Sequence, residues 1–144
     1  MGKEVLSALC REQDTKPVGA VSHRASDGSL PLPDGSGSIP LASNLKALLS
    51  RCQADVVVDF TNAEATLGLV EVASEHHINL VIGTTGISQE AVKEIERICN
   101  SHGIGAVIAP NFAIGAVLMI HLAQMASRYF DHADYFDAIP GAVP

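Results

Sequence analysis

Three short aliphatic runs, Val56-Val57-Val58, Leu80-Val81-Ile82 and Ala106-Val107-Ile108, each lead straight into a cluster of turn-forming or ligand-facing residues. The continuations are Asp59-Phe60-Thr61, Gly83-Thr84-Thr85-Gly86 and Ala109-Pro110-Asn111-Phe112. A strand that is apolar at every position, instead of at alternate ones, has to be covered on both faces. Helical patterns separate the runs, and strands that alternate with helices pair in parallel. The chain is thus expected to form an α/β fold, a doubly wound parallel sheet of the Rossmann-like type. In such sheets ligands bind beyond the carboxyl ends of the strands, where all three clusters fall.

The remaining elements follow from periodicity and turn chemistry. Lys3 to Arg11 has helical spacing, with Val5, Leu6 and Leu9 on one face, and Pro17 to Val21 reads as a strand. Ser26 to Pro40 is rich in Gly, Ser and Pro and reads as a mobile loop. Helices are expected at Leu45 to Cys52, Ala63 to His76, Ser88 to Ser101 and Ile114 to Tyr129. Ser88, followed by Gln89, Glu90 and Ala91, has the signature of an N-cap before an acidic first turn.

Composition narrows the function classes. A chain of 144 residues, 47% of them hydrophobic, suffices for one core and one domain. A net charge of -7 argues against nucleic acid as a partner, because a phosphate backbone calls for a basic face. No apolar run approaches the length of a membrane span, and no signal pattern opens the chain, so a membrane partner is not expected and a cytoplasmic location is. Cys10, Cys52 and Cys99 have neither disulfide-framework nor zinc-site spacing. No metal site is expected.

Taken together, Asp59-Phe60-Thr61 followed by Glu64 and Thr66, then Val81-Ile82-Gly83-Thr84-Thr85-Gly86, then Ala109-Pro110-Asn111-Phe112-Ala113-Ile114-Gly115, closely resemble the 4-hydroxy-tetrahydrodipicolinate reductase family, also called dihydrodipicolinate reductase. The resemblance covers residues 1 to 135. It implies an N-terminal dinucleotide-binding domain, reduction of a cyclic imine dicarboxylate with NADPH or NADH in diaminopimelate and lysine biosynthesis, and a C-terminal domain that binds substrate and builds a homotetramer. Carried over on the matching positions, Gly83, Thr84 and Thr85, with Ala109, Pro110, Asn111 and Phe112, would contact the nicotinamide end of the cofactor. Phe60 and Thr61 would line the same cleft. The residue types suit that task, since glycine lets backbone approach a ring and hydroxyls and amides can hold a carboxamide. The stretch Ser22-His23-Arg24 stands where the family meets the adenosine ribose. It has no carboxylate for a 2′-hydroxyl, and Arg24 offers a guanidinium for a 2′-phosphate, so NADPH is expected over NADH.

The departures from the family pattern matter as much. Met1-Gly2-Lys3-Glu4-Val5 resembles only the tail of the family's glycine-rich phosphate loop, so the first strand and most of the pyrophosphate cradle are expected to be lacking. At the other end the family's His-His pair, Lys and D-x-P-S-G-T block do not appear, and no catalytic residue is placed. Residues 1–130 are thus expected to be a partial dinucleotide-binding domain and 131–144 a divergent tail. His76-His77 reads as an exposed helix terminus, His121 as an ordinary histidine on an apolar helix, and Asp59 as a structural group that bonds nearby loop donors. Two functions fit: a reductase fragment inactive on its own, or a non-catalytic nucleotide-binding or interaction module that keeps a cofactor-shaped cleft.

Overall fold

The computed structural model describes residues 1–24 and 26–129. The expected tail at 131–144, like the end of the expected domain at 130, lies outside the described residues. Five helices, α1 (Gly2–Arg11), α2 (Leu45–Leu49), α3 (Ala63–Glu75), α4 (Gln89–His102) and α5 (Ile114–Ala126), are interleaved with six strands among the described residues. The strands are β1 (Ala20–Val21), β2 (Gly28–Pro31), β3 (Ser38–Ala42), β4 (Val56–Asp59), β5 (Asn79–Ile82) and β6 (Ala106–Ile108).

The three aliphatic runs form one parallel sheet in the order β4-β5-β6, with Asp59, Ile82 and Ile108 in register at its carboxyl edge. Its middle strand carries the burial that a continuous apolar run requires: Leu80 and Ile82 are inaccessible to solvent or nearly so. Val70 and Ala73 of α3 and Ile95, Ile98 and Cys99 of α4 close over the sheet, and Leu45 of α2 and Ile78 complete this core. Burial raises the Cys99 thiol above its ordinary value, which marks it as packing and not as a nucleophile.

Local chemistry sets the helix boundaries. Asn44, Asn62 and Ser88 cap α2, α3 and α4, each accepting a hydrogen bond from the backbone N–H three residues on. Helix α4 ends on Gly103 in the left-handed conformation, where a Cβ would be strained.

The α/β expectation holds, with a division: β1, β3 and β2 form a second three-stranded sheet, in which β1 runs parallel and β2 antiparallel to β3. Strands β1 and β4 are not bonded to each other, and Val56 on β4 remains 47% exposed. The strand expected at Pro17 to Val21 is paired only over Ala20–Val21.

Ser26 to Pro40 is not a loop. It holds the β2–β3 hairpin, in which Leu30 faces Ile39 in the antiparallel register. Its Gly and Ser residues make the turn, where the Asp34 carboxylate accepts bonds from the Ser36 N–H (3.0 Å) and hydroxyl (2.7 Å), which lower its pKa. The Arg51 guanidinium anchors the hairpin to the end of α2 by donating to the Leu41 and Gly28 carbonyls, both at 3.0 Å.

Helix α5 stands apart. None of its residues is buried, and Ile114 is 85% exposed. No helix among the described residues is long and apolar enough to cross a membrane.

Core and cap differ in weight. Ile82→Ala, at a position with no exposure, is expected to cost about 2–5 kcal/mol, against about 1 kcal/mol for Ser88→Ala. Urea denaturation followed by circular dichroism checks this, and a larger loss for Ser88→Ala would contradict the assigned core.

Candidate functional site

The carboxyl ends of β4, β5 and β6 lie side by side, so the segments that follow them share one edge of the sheet. Ladder bonds continue past the strand ends: the Gly83 N–H donates to the Asp59 carbonyl at 2.8 Å and the Ala109 N–H to the Ile82 carbonyl at 2.9 Å. The three clusters are thereby held at a common level.

Asp59 organises this edge. Its residue is 1% exposed, yet its carboxylate meets four donors. Oδ1 accepts from the Thr61 N–H at 2.9 Å and the Thr61 hydroxyl at 2.6 Å. Oδ2 accepts from the Thr66 hydroxyl at 2.6 Å and the Thr84 hydroxyl at 3.0 Å. A buried carboxylate without such partners would be strongly destabilising, so the threonines are what make the position tenable. The structural reading of Asp59 agrees with this geometry.

An aromatic pair joins the segments after β4 and β6. The Phe60 and Phe112 rings lie 5.9 Å apart at an interplanar angle of 59°, a tilted arrangement within the favourable range. Phe60 lies over Gly83, where a Cβ would come within 2.2 Å of its ring. Glycine at this position is therefore a packing requirement. Asn111 turns the chain after β6, its side-chain oxygen accepting the Ala113 N–H at 2.9 Å just before α5.

The structure thus brings together Phe60, Thr61, Gly83, Thr84, Ala109 and Phe112 through direct bonds or contacts, with Thr85 exposed beside Thr84 and with Pro110 and Asn111 in the adjoining segment. Arg24 lies elsewhere. It is exposed in the turn after β1, on the other sheet, outside the network around Asp59. Thr84 is 3% exposed and its hydroxyl hydrogen is directed at Asp59, so it cannot at the same time donate to a ligand. Thr61 is similarly committed, although its residue is exposed.

Thr66 is the residue that the sequence pattern undervalues. It stands in the first turns of α3 and looks like one more helical position. Its distance of seven residues from Asp59 brings its hydroxyl back beneath the strand end once Asn62 has capped the helix. His76 and His77 are exposed at the end of α3, His77 with φ 55° and Nδ1 at 3.2 Å from the His102 carbonyl. His121 is exposed on α5. No cluster of three or more metal-ligating side chains occurs among the described residues.

Gly83→Ala must displace the Phe60 ring. The substitution is expected to cost about 1–3 kcal/mol, read as a thermal midpoint lowered by several degrees. In the Phe60→Ala background, where the ring is gone, most of that cost should vanish; a full cost in both backgrounds would contradict the contact.

Known proteins with the same pattern are numerous. A family model described as dihydrodipicolinate reductase, N-terminus, matches residues 1–112. The 4-hydroxy-tetrahydrodipicolinate reductase of Dehalococcoides mccartyi is 51% identical over 137 residues, which cover 95% of this chain and 52% of that protein. The enzyme of the same name from Moorella thermoacetica is 39% identical over 140 residues, again 95% of this chain and 52% of the relative. Among solved structures, a dipicolinate-bound dihydrodipicolinate reductase from Paenisporosarcina sp. TG-14 aligns with a TM-score of 0.70 at 27% identity, over 97% of this chain and 57% of that one. The chain spans about half the length of the curated relatives it matches.

Proposed function

Because this chain belongs to the dihydrodipicolinate reductase family and corresponds to its N-terminal part, we propose that it forms the dinucleotide-binding part of an oxidoreductase that reduces 4-hydroxy-tetrahydrodipicolinate to tetrahydrodipicolinate in diaminopimelate and lysine biosynthesis. The observation that carries this reading is the edge at β4, β5 and β6, where three loops meet at one level and two of them are bonded to the Asp59 carboxylate. That is the place at which a parallel α/β sheet binds its ligands.

The residues there suit a nicotinamide. The Thr85 and Gly86 N–H groups belong to exposed residues and meet no acceptor among the described residues, so they can donate to a carboxamide oxygen. Phe60 and Phe112 supply an aromatic wall, and Gly83 leaves the space that the Phe60 ring takes. When bound, the cofactor supplies a hydride. The chain's part is to hold the ring and to keep water from one side of it with the two aromatic rings. Arg24 would meet a 2′-phosphate and so favour NADPH over NADH. The proton that completes the reduction is assigned to no residue of this chain.

The dipicolinate bound by the Paenisporosarcina relative supports a small cyclic dicarboxylate as the substrate class. From the family we carry over the homotetramer, the cytoplasmic setting and the absence of nucleic-acid and membrane partners. The second reading is a nucleotide-binding module without turnover of its own.

A thermal melt with NADPH, and with NADH for comparison, tests the reading. A ligand at about one hundred times its Kd should stabilise the folded chain by about 2.7 kcal/mol, several degrees in a domain of this size. A midpoint that climbs further with NADPH than with NADH is the expected result. A melt indifferent to both would remove the cofactor site, and equal responses would remove the role of Arg24.

A further inference from the structure

We propose that Asp59 is a positioning residue that fixes the ligand-facing loops after β4 and β5 to the first turns of α3, and that it does so by taking the hydroxyl hydrogens of Thr61, Thr66 and Thr84. This rests on the cofactor reading above and gives that site its internal tether. The three threonines come from three separate segments, with Thr84 twenty-five residues from Asp59 along the chain. No other side chain among the described residues hydrogen-bonds to the Thr84 hydroxyl, and no ion pair reaches Asp59. The carboxylate therefore joins loops that are otherwise connected through ladder bonds at the strand ends and the packing of Phe60 over Gly83.

The tether also sets hydrogen-bond polarity. A hydroxyl has one hydrogen and two lone pairs, so a threonine that donates to Asp59 offers its surroundings only acceptor capacity. Donors for a ligand then come from the backbone, at Thr85 and Gly86, and the exposed hydroxyl acceptor from Thr61. An amide, which carries one acceptor oxygen and a donor NH2 group, matches that division.

The variant Asp59→Asn isolates this effect, because asparagine has the same shape and can keep the structure filled. Its oxygen can retain both bonds from Thr61, while its NH2 group must donate to Thr66 and Thr84. Thr66 can turn its hydrogen to the Asn62 carbonyl, already 3.0 Å away. Thr84 has no second acceptor of that kind among the described residues, so it keeps a bond only as acceptor from the NH2 group, its own hydrogen is left without a partner, and the tether is weakened. Thr84→Val removes the same bond from the other side, and Thr84→Ser restores a hydroxyl.

The experiment uses the 144-residue chain, titrated calorimetrically with NADPH and with 2′-phospho-ADP-ribose, which lacks the nicotinamide. Amide hydrogen exchange is measured alongside. Asp59→Asn and Thr84→Val are expected to weaken NADPH about tenfold, as loss of a hydrogen bond to a charged group warrants, with Thr84→Ser recovering most of it. The affinity for 2′-phospho-ADP-ribose should stay the same, and exchange should quicken at the loop amide of Gly83, whose N–H bonds to the Asp59 carbonyl, but not at Leu80 or Ile95. A merely structural role would weaken both ligands alike or quicken exchange throughout the core. Either result, or NADPH affinity left intact in both variants, overturns the proposal. If the unmodified chain binds neither ligand, the cofactor reading fails and exchange decides the tether: quickening confined to the loop amide supports it, and unchanged exchange overturns it.

Discussion

A carboxylate buried at the end of β4, with no cation paired to it among the described residues, is the constraint around which this edge of the molecule is arranged. Water would solvate such a group far better than an apolar core does, and the difference is offset only when donors surround both oxygens. Asp59 finds its donors in Thr61, Thr66 and Thr84, that is, in the loop after its own strand, in α3 and in the loop after β5. The demand for hydrogen bonds at one point thus dictates where three segments lie. Packing follows the same geometry, since Gly83 next to Thr84 admits the Phe60 ring, which in turn meets Phe112 from the segment after β6.

Family membership and this arrangement support each other by different routes. The matches rest on residue identities along the chain, whereas the arrangement at the sheet edge rests on distances between residues remote in sequence. The two coincide at the same three clusters. The reductase reading uses both, and the split between the two sheets marks where the described residues depart from a continuous doubly wound sheet.

What could be read from sequence was chiefly what neighbouring residues decide among themselves. The aliphatic runs declare buried strands, and Ser88 with its acidic follower declares a helix start, because each depends on a window of a few residues. The hairpin at 28–42 was hidden because its turn is built from Gly, Ser, Pro and Asp, and that composition outweighs the short apolar strands on either side. The Arg51 fork reaches a carbonyl twenty-three residues away and leaves no local trace. For the site, the clusters themselves were legible and their tether was not: Asp59 could be seen as structural, but that Thr84 would be one of its partners depends on the register of β4 against β5. Arg24 lies after β1, on the other sheet, and its place there depends on pairings that no local window of sequence displays.

Helix α5 raises a different matter, one of thermodynamic linkage. It has thirteen residues, most of them apolar and none buried, and it lacks a side-chain cap at its start. A helix of this length is marginal in water when it has only its own hydrogen bonds to sustain it. Its order and the covering of its apolar surface therefore amount to one equilibrium, in which any contact that removes Ile114, Met119 or Leu122 from water also adds to helix content. Part of the free energy of such a contact goes into ordering the backbone, so the helix acts as a soft element whose stiffness is set from outside. Helix α5 begins two residues after Phe112, whose ring lies 5.9 Å from that of Phe60, so its order and that of the aromatic pair share one short stretch of backbone.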